Sequence, residues 1–227
     1  MKLPRRAPDA DVAWIYERLS ATIEPRSDLT YSTTFELLVA VVLSAQATDK
    51  SVNAATAKLY AVANTPQAIL ALGVAGLEPY IRTIGLYRTK AKNVIALCQL
   101  LLDRHGGEVP STRADLEALP GVGRKTANVV LNVAFGQPTI AVDTHVHRVS
   151  NRLGFGRTEN PDQTEQVLLK RTPATHLLHA HHYLILHGRY TCTARAPRCA
   201  SCVVAERCPS HLLVASAPPG LPEQHQA

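Results

Sequence analysis

Two stretches of this 227-residue chain hold residue types whose spacing implies chemistry. The first is Leu119-Pro-Gly-Val-Gly-Arg-Lys-Thr-Ala127, followed by Val142-Asp-Thr-His145. Pro120 stops a preceding helix, while Gly121 and Gly123 allow backbone angles and close approaches that a side chain blocks, so 119–123 reads as a hairpin of bare backbone. A helix over 124–135 then starts with its first N–H groups unbonded and the positive end of its dipole behind them, which suits one phosphate. Lys125 in that first turn is either a plain electrostatic contact or, held near a sugar, an amine nucleophile. The second stretch is Cys192, Cys199, Cys202 and Cys208, spaced C-x6-C-x2-C-x5-C within 17 residues and with no histidine among them. Four thiolates on one short loop repel each other unless a soft cation or an iron–sulfur cluster holds them. A zinc ribbon ordinarily has two C-x2-C knuckles, and this loop has one.

The elements that must position these groups read as helical throughout. Val12, Ile15, Tyr16 and Leu19 recur at helical spacing, and Thr33-x-x-Glu36 is a capping box ahead of a run over 35–43 that is apolar nearly all round, hence a central buried helix. Polar residues 44–53 break that run, and Thr48 or Asp49 caps the next helix, which continues to Leu59. Thr65-Pro66, Asn160-Pro161 and Thr172-Pro173 each predict a helix start, Gly73 and Gly76 interrupt, and 79–84 forms a short helical turn before a loop at Gly85-Leu86-Tyr87. An amphipathic helix over 88–102 stops at Gly106-Gly107, and Thr112-x-x-Asp115 opens the short helix that runs into the hairpin. Helices over 144–153, 162–170 and 174–188 follow, with a glycine loop at 154–156, and the residues from Ser210 onward fray. With no convincing β-alternation, the expected class is all-α.

Composition narrows the partners. The chain has 24 basic and 18 acidic residues, a net charge of +6, and no long basic run, so its folded surface suits a polyanion, or is simply that of a soluble basic protein. At 46% hydrophobic it can bury on the order of 70% of its unfolded surface. The basic N-terminus is followed by no apolar segment, and the longest apolar stretch, 35–45, falls far short of the roughly 20 residues that cross a bilayer. A cytoplasmic protein with reduced cysteines is therefore expected, Cys98 being a core thiol on an apolar helix face.

The hairpin sequence and the Val-Asp-Thr-His after it resemble the helix-hairpin-helix DNA repair glycosylases and, within that superfamily, the endonuclease III family nearly letter for letter, over about residues 9 to 208. The resemblance implies two helical lobes with a DNA-binding cleft between them: a six-helix barrel-like domain carrying the hairpin, over 27–137, and an iron–sulfur domain from 1–26 and 138–212, leaving a flexible tail over 213–227. It implies a bifunctional glycosylase with abasic-site lyase activity that removes oxidised pyrimidines from duplex DNA, with Lys125 as the nucleophile and Asp143 as the essential carboxylate. It implies that the cysteine spacing serves a [4Fe–4S] cluster, and that Gln46 and Leu86 fill the space a flipped nucleotide vacates, the glutamine by hydrogen bonds and the leucine as an apolar wedge. Gly121, Val122, Gly123 and Arg124 are expected to grip the DNA backbone. Arg198, with Arg189, Arg195 and Arg207, either contacts a second phosphate or neutralises the cluster. His145 either touches substrate or lies on a helix surface, and Ser44 and Asp49 are candidates for the pocket lining. A monomer acting on lesion-bearing or abasic duplex DNA is the expectation. A non-catalytic DNA-binding module and a mismatch-specific glycosylase that releases a base without cutting are the alternatives, and Lys125 argues against the second. The chain departs from the family in its proline-bearing basic N-terminus, the 154–162 loop and the tail after Cys208.

Overall fold

The computed structural model describes residues 5–215, which are helical, with no strand among them. In chain order the α-helices are α1 (Asp9–Ser20), α2 (Thr34–Ser44), α3 (Asp49–Tyr60), α4 (Pro66–Ile81), α5 (Tyr87–His105), α6 (Arg113–Glu117), α7 (Arg124–Phe135), α8 (Thr144–Arg152), α9 (Pro161–Arg171), α10 (Ala180–Tyr190) and α11 (Pro209–Ala215). They form two compact units, one of Arg26–Ala141 and one of residues 5–25 with 142–215. Residues 138–141 stay with the first unit because two buried asparagines of α7 bind them. Asn128 Nδ2 donates to the carbonyl of Ile140, Asn132 Nδ2 to those of Gln137 and Thr139, and the Thr139 hydroxyl donates back to Asn128.

The first unit is built on α2. Thr33 Oγ1 accepts from the Glu36 amide at 3.1 Å and the Glu36 carboxylate accepts from the Ser32 amide at 2.6 Å, so the box closes one residue earlier than its usual pairing. The helix is buried from Phe35 to Leu43 and packs on α3, α5 and α7. Side-chain caps also start α3 at Thr48, α4 at Thr65 and α6 at Thr112. Within α4 the break falls at Gly73 alone, whose φ of 63° lies in the left-handed region. Gly76 is helical, and Pro79 sits inside the second segment rather than opening a separate turn.

The second unit packs α1 against α10 and the turn before it, and α8 against α9 and α10. Tyr16 of α1 stacks on Phe155 at 5.2 Å, both buried. The sequence expectation of one helix over 174–188 divides in two: Ala174–His179 is a 3-10 helix and α10 follows. Thr172 caps neither, because its hydroxyl is committed to a buried bond with the Tyr16 hydroxyl. The end of the chain also differs, because α11 is helical where fraying is expected. The Ser210 hydroxyl donates to the carbonyl of Arg152 at 2.8 Å and ties α11 to the end of α8. Of the expected tail over 213–227, residues from 216 onward lie outside those described.

Candidate active site and nucleic-acid interface

The 119–123 hairpin is anchored by its apolar residues and leaves its polar backbone outward. Leu119 and Val122 are buried, and the Val122 amide donates to the Leu119 carbonyl, so Val122 serves the turn itself with both side chain and N–H. Gly121 has a φ of 80°, and a Cβ there would press on Asn93 and Val42 at 3.2–3.3 Å, so α5 and α2 approach too closely for any other residue. Gly123 is different. Its backbone is extended, a conformation open to any residue, and a Cβ would meet nothing within 4 Å. Gly123 therefore keeps space free over the start of α7 rather than relieving strain. Thr, Asp or Asn side chains cap α2, α3, α4, α6, α8 and α9, whereas α7, like α1, α5 and α10, has no side-chain cap. Its first amides remain available to an outside acceptor. Lys125 is exposed at the second position of this helix and makes no hydrogen bond or ion pair among the described residues.

Gln46 and Leu86 share a property that no spacing rule reveals. Among the described residues they alone have a positive φ without being glycine, at 55° and 60°. A left-handed backbone at a side-chain-bearing residue costs roughly 1–2 kcal/mol, and neither recovers it by packing. Leu86 is 62% exposed and Gln46 is also exposed. The two turns are neighbours: the backbone of Gly85 approaches so that a Cβ would lie 3.6 Å from the Gln46 carbonyl. Backbone strain of this kind clusters at ligand-contacting and switch regions of proteins.

In the other unit Asp143 is itself the cap of α8, its Oδ1 accepting from the Val146 amide at 2.8 Å, which fixes the carboxylate's direction. Further along, Cys192, Cys199, Cys202 and Cys208 are unpaired and half-buried, and all four line one small pocket of about 20 Å³ together with His187, Leu153 and Pro197. Burial, with the neighbouring thiols adding to it, pushes the thiols of Cys202 and Cys208 up. Bare thiolates are thus disfavoured there until something cationic joins them. Among the described residues no three His, Cys, Asp or Glu side chains converge as a single ion requires. Four soft sulfur donors lining one pocket are the donor set that an iron–sulfur cluster takes. Arg152 reaches Cys192 Sγ at 3.5 Å, a donor placed to offset negative charge on sulfur.

Residues 39–174 match the HhH-GPD superfamily of base excision DNA repair proteins. Over 184 residues the chain is 64% identical to endonuclease III of Escherichia coli (strain K12), covering 81% of this chain and 87% of that protein. The Treponema pallidum (strain Nichols) endonuclease III is 55% identical over 195 residues, 86% and 92% of the two chains. The chain belongs to the endonuclease III family. The solved structure of a trapped endonuclease III–DNA covalent intermediate superposes with a TM-score of 0.87 at 44% identity, covering 92% of this chain and 99% of that one. A thermostable thymine-DNA glycosylase, 21% identical with a TM-score of 0.78, shares the fold. As a family member the chain is a DNA glycosylase and abasic-site lyase of base excision repair.

The remaining expected residues of this endonuclease III relative fall into place unevenly. Ser44 Oγ donates back to the Val41 carbonyl in the last turn of α2, and Asp49 is the first residue of α3. His145 packs its Cβ where Gly188 of α10 leaves room and turns Nδ1 toward Arg148, 3.3 Å away, so this side chain helps join α8 to α10. Arg198 is exposed, its amide bonded to the Thr191 carbonyl. Arg207 is committed to the fold, paired with Asp11 at 3.3 Å and stacked 4.7 Å over Trp14. The sequence reading passed over Lys90. Its Nζ donates to the carbonyls of Leu43 at 2.9 Å and Ala45 at 2.6 Å, at the end of α2. Lys90 is buried on the same helix as Val94, Leu97 and Leu101.

Proposed function

We propose that this chain excises oxidised pyrimidines from duplex DNA through a Schiff base on Lys125 and then cuts the strand by β-elimination, and that its four clustered cysteines hold a [4Fe–4S] cluster. The observation that carries the reading is an exposed, uncommitted amine in the first turn of a helix whose end no side chain caps. A phosphate held by the free amides of α7 brings the adjoining sugar within reach of that amine. The Lys125 nitrogen forms a bond to C1′ as the C1′–base bond breaks, and the base leaves with a proton. The C1′–O4′ bond then breaks with a proton added to O4′, the nitrogen keeping its remaining hydrogen, and the sugar opens to an iminium whose electron withdrawal acidifies C2′; removal of a C2′ proton then expels the 3′ phosphate. Asp143, one oxygen fixed by its cap bond, suits stabilising positive charge at the sugar or accepting the lysine proton.

Gln46 and Leu86 fit the task of replacing an extruded nucleotide, one with hydrogen bonds and one with apolar surface, and the strain at both is in keeping with side chains aimed outward. The cluster, when bound, supplies the cationic centre that four crowded thiols lack and closes the loop over 192–208 into a rigid staple. We assign duplex DNA gripping to the unit of 26–141 and the cluster to the other. We also infer action as a monomer in the cytoplasm. No helix of the described residues is long and apolar enough to cross a membrane.

Borohydride trapping on an oligonucleotide with an oxidised thymine tests the assignment directly. The wild-type chain is expected to form a covalent adduct in EDTA and K125A none; an adduct of undiminished yield on K125A removes Lys125 from the mechanism. Binding that falls with salt at a log–log slope of about −0.9 per phosphate contact, without nicking of an abasic duplex, marks a DNA-binding module instead.

A further inference from the structure

The two strained turns are joined through one buried side chain. Lys90 is only 6% exposed, four residues into α5 from Leu86. Its backbone amide donates to the Leu86 carbonyl at 3.0 Å. Its ammonium reaches back to the carbonyls of Leu43 and Ala45. The Ala45 carbonyl belongs to the same peptide unit as the Gln46 amide, so holding that oxygen fixes the plane from which the left-handed Gln46 departs. One residue thus restrains the peptide before Gln46 and the peptide after Leu86.

Stability alone gives little reason for this arrangement. A buried ammonium bonded to two neutral carbonyls loses its hydration, and methionine of nearly the same length would fill the space without that loss. What methionine lacks is direction: three N–H donors on a tether, placed where the negative end of the α2 dipole favours a cation. We propose that Lys90 is a positioning residue that holds the Gln46 and Leu86 turns in register with each other, so that both enter the duplex together when a nucleotide leaves it. This rests on Gln46 and Leu86 being the residues that fill the vacated space.

The test uses the full chain and two duplexes bearing the same oxidised thymine, one with the opposing base present and one with that nucleotide missing. Only the first requires a pair to be broken and an orphaned base to be met. Single-turnover base release is measured on both and divided by the active sites counted by borohydride trapping; the paired-to-gapped ratio is the readout. K90M is expected to lower that ratio about tenfold or more, the scale of one lost charge-assisted hydrogen bond. K90R, which keeps charge and donors, is expected to recover most of it. In a Q46A/L86A background K90M is expected to change the ratio little further, because nothing is left to position. Equal losses on both duplexes, or a K90M loss that multiplies undiminished with Q46A/L86A, overturn the proposal. If Q46A/L86A by itself leaves the ratio at the wild-type value, the reading of those two residues fails, and Lys90 has no such role. Should K90M yield too few trapped sites, K90Q, whose amide stops short of Ala45, gives the same comparison.

Discussion

In residues 26–141 the helices close around one apolar cluster that runs from Phe35 through Leu59, Leu77 and Leu97 to Leu131. In residues 5–25 and 142–215 three arginines do much of the joining. Arg171 donates to the carbonyls of Phe155 and Ala7, both at 2.5 Å, and pairs with Asp9. Arg148 and Arg152, four apart and so on one face of α8, reach the carbonyls of Gly188, Cys192, Thr193 and Ala194. The first unit carries the two left-handed residues Gln46 and Leu86 and the buried Lys90. The second commits arginine side chains to holding its own loops.

The largest expected effect separates the units by their cysteines. Replacing Cys202 by Ala is expected to destabilise the second unit by several kcal/mol, the scale on which a structural metal group contributes to folding. Hydrogen exchange should then become fast in α1, α8 and α10 while amides of α2 and α5 stay protected; simultaneous loss in both units would erase the contrast. Next is Leu97→Ala, in the core of the first unit and fully buried. It should cost about 2–5 kcal/mol by leaving a cavity, read as a lower denaturant midpoint with the visible absorption of the cluster retained. A third effect is acid sensitivity. Burial, with His179 adding to it, pushes the pKa of His182 from 6.5 down to about 4. Between those values the unfolded chain binds a proton that the folded chain does not, so stability present above pH 6.5 is lost as pH falls toward 4. The loss amounts to about 3 kcal/mol. H182F should flatten this slope in an equilibrium unfolding series; an unchanged slope would place the acid response elsewhere.

The same contrast explains what could be read from the sequence. Caps at Thr33, Thr48, Thr65, Thr112 and Asn160 were legible because each is a local bargain between one side chain and an amide two or three residues on. The α7 start was legible for the opposite reason, as glycine stands where those caps would. Features set by partners distant in sequence were not. Thr172 has the look of a cap but is drawn off by Tyr16, 156 residues away. The helical end at α11 depends on a bond to Arg152, 58 residues back. Lys90 reads as one more charged helix position because the carbonyls that need it lie 45 and 47 residues earlier. The left-handed Gln46 and Leu86 had no local signal at all, since the residue types that favour that conformation are absent there.

Those two residues give the smallest and most discriminating prediction. Leu86→Gly removes an exposed side chain from a conformation that glycine adopts freely. Relief of the left-handed backbone, roughly 1–2 kcal/mol, is set against the greater freedom of glycine in the unfolded chain, about 0.5–1 kcal/mol. The folded state should therefore be unchanged or more stable by up to about 1 kcal/mol, whereas base release from a paired duplex should fall. A chain that gains stability while losing activity shows that Leu86 is strained on behalf of the substrate. If L86G instead lowers the unfolding midpoint by more than a few tenths of a kcal/mol, the leucine supports the fold. The strain at this turn would then belong to packing.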